Sequence, residues 1–248
     1  MRIISVVPSL TELVWDLGLG NELVGITRFC IHPKENLKGI KKVGGTKTLN
    51  IEAIKALNPD LIIANKEENS KSDIVQLMPQ FNVLLTDIYN LEDSISTIIQ
   101  IGELTGKTEK AKALAKDIRL SFRNLITKKP KNVLKVAYVI WKNPLMVAGN
   151  NTFINDMLDQ SGFINAIIDT NSRYPEISKE ELIQLNPDLI FLSSEPYPFK
   201  NKDKKEFELI YPNARIVLVD GEMFSWYGSR LALAPNYFEK LIDGLGLN

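Results

Sequence analysis

The stretch IEAIKALNPDLI at residues 51–62 returns as KEELIQLNPDLI at residues 179–190. The last six residues are identical, and Asp188 lies 128 positions after Asp60. In each copy a helical pattern stops at Asn-Pro, because proline cannot continue a helix and keeps the preceding residue out of the helical region. A short apolar run follows, which is typical of a strand covered on both faces of a parallel sheet. The chain is therefore predicted to contain one helix–turn–strand unit twice.

Strands and helices alternate around each copy. A strand at 3–7 precedes a helix at 11–17, and a strand at 136–140 precedes a helix near 152–160. Between the copies, residues 108–128 place apolar side chains at helical spacing, which predicts one long amphipathic helix. The predicted fold class is α/β, with two Rossmann-like lobes of mainly parallel strands joined by that helix. We place the lobes at residues 1–105 and 131–248 and the connecting helix at 106–130.

Composition excludes several classes of protein. Thirty basic and thirty acidic residues cancel in a chain of 248, so a nucleic-acid partner is not expected. No apolar run approaches the roughly 18 residues of a membrane helix, so the chain is not expected to span a membrane. The N-terminus has no signal-peptide pattern, which predicts a cytoplasmic protein as written, or a periplasmic or lipid-anchored one if a leader was removed. We expect a monomer.

Ligands of parallel α/β sheets bind beyond the carboxyl ends of the strands. Two such lobes predict a cleft lined by the residues that follow each strand, which include Ser9, Leu10 and Trp141. Glu67 and Glu195 follow equivalent strands, 128 positions apart. These glutamates are either docking carboxylates for a partner or ordinary solvated charges.

The only cysteine and the only histidine, Cys30 and His32, lie two positions apart. Alternate residues of an extended segment point the same way, so thiolate and imidazole are a candidate pair of metal ligands. The alternative is a half-buried cysteine beside an exposed loop histidine, since a closed structural zinc site needs four ligands.

Aromatic and cationic side chains complete the set of candidate ligand contacts. Aromatic rings stack on flat ligands, and guanidinium groups pair with carboxylate or phosphate, although aromatic residues more often belong to the core. The candidates of these two kinds are Arg28, Arg173, Tyr174, Trp226, Tyr227 and Arg230.

Taken in order, several stretches resemble the cobalamin-binding and iron-chelate-binding proteins of ABC importers, the helical-backbone metal receptors or class III periplasmic binding proteins. The stretches are residues 7–12, 17–20, 24–27, 43–46, 224–230 and both copies of LNPDLI. The resemblance implies a ligand in the cleft, delivery to an ABC permease and no catalysis, and it adds Gly45 to the expected contacts.

The resemblance also implies roles for single residues. Trp141 falls near an aromatic residue that packs on the corrin ring in vitamin B12 binders, and Glu67 and Glu195 fall near the positions that dock on the permease. Asn65 and Met223 stand where those binders carry tryptophans, which puts cobalamin itself in doubt.

Three functions follow from these patterns. The first is a substrate-binding protein that holds a corrinoid, haem or ferric siderophore as ligand, with no catalytic cofactor. The second is a non-exported carrier or sensor of such a chelate. The third is a hydrolase using Cys30 or Ser9 with His32, against which stands the lack of any catalytic motif.

Overall fold

The structure is a computed structural model that describes residues 1–168 and 172–247. The described residues cluster into two compact units. The first unit contains Met1–Ile88, Glu92–Ile118 and Tyr227–Arg230. The second unit contains the described residues within Tyr89–Leu91, Arg119–Trp226 and Leu231–Asn248.

Within the described residues there are ten strands and ten α-helices. The strands are β1 (Ile3–Ser5), β2 (Leu23–Ile26), β3 (Lys41–Lys42), β4 (Leu61–Asn65), β5 (Val83–Thr86), β6 (Leu134–Trp141), β7 (Met146–Val147), β8 (Phe163–Asn165), β9 (Leu189–Ser193) and β10 (Arg215–Val219). The helices are α1 (Pro8–Asp16), α2 (Ile51–Leu57), α3 (Lys71–Leu77), α4 (Leu91–Leu104), α5 (Thr108–Leu125), α6 (Phe153–Gln160), α7 (Lys179–Leu185), α8 (Asn201–Ile210), α9 (Gly221–Ser225) and α10 (Ala234–Leu245).

Each unit is built on one sheet. In the first the order is β3-β2-β1-β4-β5, and every pair is parallel. In the second the order is β10-β9-β6-β7, with β8 also paired to β6, and only the β6–β7 pair is antiparallel. The predicted fold class, α/β with two mainly parallel sheets, is confirmed. The lobe bounds at 105, 130 and 131 stay a prediction.

The two copies of the repeat occupy equivalent places. Ile3 pairs with Leu61 in the first sheet, and Val136 pairs with Leu189 in the second. Each proline follows an asparagine with left-handed backbone, Asn58 at φ 43° and Asn186 at φ 44°, which ends its helix. The predicted break at Asn-Pro is confirmed.

The aspartate of each repeat ties its strand to the neighbouring one. The backbone N–H of Arg2 donates to Asp60 Oδ2 at 2.7 Å, and the backbone N–H of Lys135 donates to Asp188 Oδ2 at 2.7 Å. The aspartate that follows the proline therefore makes the same contact in both copies, at the start of a strand that lies inside each sheet.

Two helices differ in detail from the sequence-based prediction. Helix α1 begins at Pro8, three residues earlier than expected, because proline is accommodated at the first helical position. Helix α5 ends at Leu125 and continues as a 3-10 turn over Ile126–Lys128. Its residues up to Ile118 belong to the first unit and the remainder to the second. None of the helices in residues 1–168 and 172–247 is both long and apolar enough to cross a membrane.

Candidate functional site

Strand β1 leads directly into α1, which places Ser9 and Leu10 in the first turn of that helix. Both side chains are buried, and Leu10 belongs to the core of the first unit. Their contact with a ligand stays a prediction.

Cys30 lies beneath the surface of the first unit. Its Sγ is 3.1 Å from Thr11 Oγ1 and 3.2 Å from Thr27 Oγ1, within hydrogen-bonding distance of both. Burial raises the pKa of the thiol, which the two threonines oppose only in part. Because metals and electrophiles react with the thiolate, this environment disfavours both metal ligation and nucleophilic catalysis by Cys30. His32 is half-buried. Among residues 1–168 and 172–247, no group of three or more His, Cys, Asp and Glu side chains is placed to hold a metal ion.

Asn65, at the end of β4, is part of a buried hydrogen-bond network. Its Oδ1 accepts from the backbone N–H groups of Glu67 and Glu68 at 2.8 and 3.2 Å, and its Nδ2 donates to Thr86 Oγ1 at 3.0 Å. Asn69 Oδ1 accepts from the Asn65 backbone N–H, and Asn69 Nδ2 donates to the carbonyls of Val6 and Thr46. Asn65 therefore shapes the loop after β4, and its side chain is not available to stack on a ligand.

Arg28 and Phe29 follow β2 and form an exposed pair. The Arg28 guanidinium carbon lies 5.1 Å from the centre of the Phe29 ring, and the Phe29 side chain is 49% exposed. The backbone N–H of Arg28 donates to the Gly44 carbonyl at 2.9 Å. A Cβ atom at Gly45 would lie 3.3 Å from both Arg28 Nη2 and the Phe29 ring. A glycine at 45 thus lets both side chains lie closely against the turn.

The segment Tyr227–Arg230 packs within the first unit. Arg230 Nε and Nη2 donate to the two carboxylate oxygens of Glu12 at 2.8 and 2.6 Å. The backbone N–H of Gly228 donates to Ser94 Oγ at 3.0 Å, and Tyr227 is buried. Arg230 and Tyr227 are therefore engaged in packing this segment, and their contact with a ligand stays a prediction.

In the second unit, Trp141 lies at the end of β6 with its side chain 37% exposed. Its Nε1 donates to the Asn143 carbonyl at 3.0 Å, and its ring meets Tyr197 edge to face at 5.7 Å between centroids. The next residue, Lys142, donates to Asp203 and Glu206 of α8 at 2.8 and 2.7 Å. These contacts hold the indole in one orientation while leaving part of it exposed.

Glu195 is more enclosed than a docking residue at a loop tip would be. Its Oε1 accepts from Ser225 Oγ at 2.6 Å and from Trp226 Nε1 at 2.8 Å. Burial raises the pKa of the carboxyl, and the nearby Glu222 and Asp220 raise it further, against the two hydrogen bonds. A Cβ atom at Gly221 would lie 2.6 Å from Glu195 Cγ, so this glycine permits the approach. Glu195 therefore orients Trp226, which is itself buried.

Arg173 lies over an aromatic ring that the sequence had not singled out. Its guanidinium carbon is 4.1 Å from the centre of the Tyr89 ring, and Tyr89 is exposed. The backbone N–H of Leu91 donates to Asp156 Oδ2 at 2.7 Å and holds the Tyr89–Leu91 segment in the second unit. Tyr174 is half-buried beside Arg173.

Phe29, Tyr89 and Tyr197 are exposed or half-exposed rings beyond strand ends that the candidate list missed. Phe29 and Tyr197 stand in loops already selected, after β2 and β9, and the rule that ligands bind beyond strand ends could have included them. Tyr89 follows β5, and the same rule would have found it had that strand been assigned.

Each of the two units has a mainly parallel sheet and presents aromatic and cationic side chains beyond its strand ends. This arrangement is that of a substrate-binding protein. The family model described as periplasmic binding protein matches residues 3–209. This chain therefore belongs to the periplasmic binding protein family.

The relatives include an uncharacterised ABC transporter substrate-binding lipoprotein of Bacillus subtilis, YvrC. It is 33% identical over 199 residues, which cover 76% of this chain and 62% of the relative, so the chain spans about three fifths of that lipoprotein's length. A vitamin B12-binding protein of Vibrio cholerae is 27% identical over 194 residues, covering 77% of this chain and 70% of the relative. A periplasmic haem-binding protein of Pseudomonas aeruginosa has a TM-score of 0.82 and 25% identity, covering 97% of this chain and 91% of that structure. The predicted resemblance to the cobalamin and iron-chelate binders is confirmed.

The predicted cytoplasmic localisation is wrong. The similar proteins named above include a lipoprotein of Bacillus subtilis and a periplasmic haem-binding protein of Pseudomonas aeruginosa. The prediction rested on the first residues of the chain, but these form β1 and α1 of the folded unit. Residues that belong to the fold do not indicate where the protein is delivered, and the periplasmic or lipid-anchored alternative is the one that fits.

Proposed function

We propose that this protein binds a metal chelate, a corrinoid, a haem or a ferric siderophore, and presents it to an ABC importer without chemical change. The observation that carries the proposal is the exposed Trp141, held at a strand end by Tyr197 and by its own hydrogen bond. A fixed, exposed indole is suited to stacking on a flat macrocycle. Relatives named for vitamin B12 and for haem support the class of ligand.

Two departures from the B12 binders support a range of chelates wider than cobalamin. Asn65 is buried and hydrogen-bonded, so no aromatic ring occupies that position. Met223 is half-buried and offers a flexible thioether in place of a ring. The ligand contacts that we propose are the exposed or half-exposed candidates Arg28, His32, Trp141, Arg173 and Tyr174, together with the buried Gly45 and the exposed Tyr89.

Replacing Trp141 with alanine is expected to weaken chelate binding by roughly 1–3 kcal/mol, because the stacked indole face is lost. The measurement is titration of the purified protein with cobalamin, cobinamide, haemin and a ferric trihydroxamate, followed by calorimetry and visible absorbance. Trp15→Phe, in α1 of the first unit, is the matched control and should leave affinity unchanged. Unaltered affinity in Trp141→Ala would remove this residue from the site, and no binding of any of these chelates would refute the proposed function.

We propose further that Glu67 and Glu195 contribute to docking on the permease. Glu67→Lys and Glu195→Gln should spare chelate affinity and reduce the ATP hydrolysis that the loaded protein stimulates in its reconstituted importer. Glutamine at 195 keeps an oxygen that accepts from Ser225 and Trp226 while removing the charge. Glu103→Gln, on the exposed face of α4, is the control. Loss of chelate affinity in Glu195→Gln would instead assign this residue to shaping the ligand site through Trp226.

A further inference from the structure

Basic charge in the first unit is concentrated in one segment. Residues 28–48 carry one acidic side chain, Glu35, and the six basic side chains Arg28, Lys34, Lys38, Lys41, Lys42 and Lys47. The chain as a whole has equal numbers of both signs, so this imbalance is local. The segment includes the loop after β2 and the strand β3. The segment therefore contributes net positive charge to this part of the first unit, and positive charge attracts anions.

Part of this charge is neutralised within the unit, and part is not. Lys38 pairs with Glu35, and Lys47 donates to the backbone carbonyl of Glu67. Arg28 is exposed, and among residues 1–168 and 172–247 no carboxylate forms an ion pair with its guanidinium. The Arg28 guanidinium is thus available to an external acidic group.

The surroundings of Arg28 form a fitted surface instead of a loose cationic chain. The guanidinium lies over the Phe29 ring, and both lie against the turn at Gly45, where a side chain would crowd them at 3.3 Å. A Cβ atom at Gly45 would also lie 3.2 Å from Thr48 Oγ1, so the threonine adds a hydroxyl group to this surface. A half-exposed ring, a planar cation and a hydroxyl side by side match a flat ligand whose edge bears an acid.

We infer that the chelate bound by this protein is anionic at its periphery, and that Arg28, supported by Phe29 and Gly45, receives one of its carboxylate groups. The inference rests on the proposed function and narrows it to acidic chelates.

The test compares acids with their esters. Haemin and dicyanocobyrinic acid are titrated beside haemin dimethyl ester and dicyanocobyrinic acid heptamethyl ester, in which the macrocycle is kept and the charge removed. For the wild-type protein the acid of at least one pair should bind roughly ten- to hundredfold more tightly than its ester, as a hydrogen bond to a charged group supplies. Arg28→Ala should abolish that preference and leave the ester's affinity unchanged.

The variants separate charge from geometry. Arg28→Lys should recover only part of the preference, because lysine lacks the planar fork and the stacking of a guanidinium. Arg123→Ala, on the exposed face of α5, should behave as wild type. An ester that binds as tightly as its acid, or an equal loss for both members of a pair in Arg28→Ala, would overturn the inference while the proposed function stands. If neither acid nor ester of any pair binds, this inference fails, and the proposed function fails as well only if cobalamin, cobinamide and the ferric trihydroxamate are not bound either.

Discussion

Replacing Lys142 with methionine is expected to lower the free energy of unfolding by roughly 3 kcal/mol, because the change leaves a buried carboxylate without its counter-ion. Asp203 is 1% exposed and accepts from Lys142 Nζ at 2.8 Å, and the lysine side chain is 18% exposed. The second partner, Glu206, is 48% exposed, so its pairing contributes less. We therefore place the loss at the low end of what breaking a buried ion pair costs.

The pH dependence of this pair follows from the two pKa shifts. Burial opposes ionisation of Asp203, yet hydrogen bonds from Lys142 and from the Lys200 backbone hold the pKa of its carboxyl below the ordinary value. Its stabilisation is present above the pKa of an unfolded aspartate and is lost as pH falls through the folded pKa. Hydrogen bonds to Asp203 and Glu206 raise the pKa of Lys142, so its share is lost only as pH rises through that raised value.

Urea unfolding of single and double variants checks this expectation. Lys142→Met with Asp203→Asn should be less destabilised than Lys142→Met alone, because the neutral amide no longer requires a cation and still accepts from the Lys200 backbone N–H. Lys204→Met removes an exposed partner of Glu208 and should change stability by less than about 0.5 kcal/mol. Equal losses of unfolding free energy in the Lys142 and Lys204 variants would show that the buried pair contributes no more to stability than an exposed ion pair.

The duplicated stretch predicted most of the fold because the interactions that form its helix, turn and strand lie within a few residues of one another. Asn58 and Asn186 end their helices within a few residues of the signal that predicts it, and the apolar runs after them form the buried strands β4 and β9. The register of those strands also depends on Asp60 and Asp188, which bond to backbone groups of distant strands. That second role could be recognised only once the strands were paired.

The candidate site was less predictable because its contacts join residues far apart in sequence. Glu195 bonds to Ser225 and Trp226, 30 and 31 positions away, which nothing in either local pattern indicates. Asn65 could be recognised from sequence as a departure from the B12 binders, but not as the centre of a buried network. Spacing along a strand tells which loop a residue occupies, and the partners of that loop decide whether its side chain faces solvent.

Arg230→Met is expected to lower the free energy of unfolding of the first unit by roughly 3–5 kcal/mol, because it leaves the Glu12 carboxylate without its counter-ion. The two residues are 218 positions apart, and they form a bidentate pair in which Arg230 is 9% and Glu12 14% exposed. Arg230→Lys should restore only part of the loss, because a single ammonium group cannot reproduce both hydrogen bonds. Thermal and urea unfolding, followed through the ellipticity of the helices, measure the effect.

The same variant decides between two roles for Arg230. A residue that ties the Tyr227–Arg230 segment to α1 should, when lost, reduce stability, and the double variant Glu12→Leu with Arg230→Met should regain much of it. A residue that binds the chelate directly should instead reduce affinity while stability is kept. Lys112→Met, which removes an exposed partner of Glu109 at 3.8 Å on α5, is the control and should alter neither quantity. Because the guanidinium already satisfies both oxygens of the half-buried Glu12 carboxylate, we expect the loss to fall on stability.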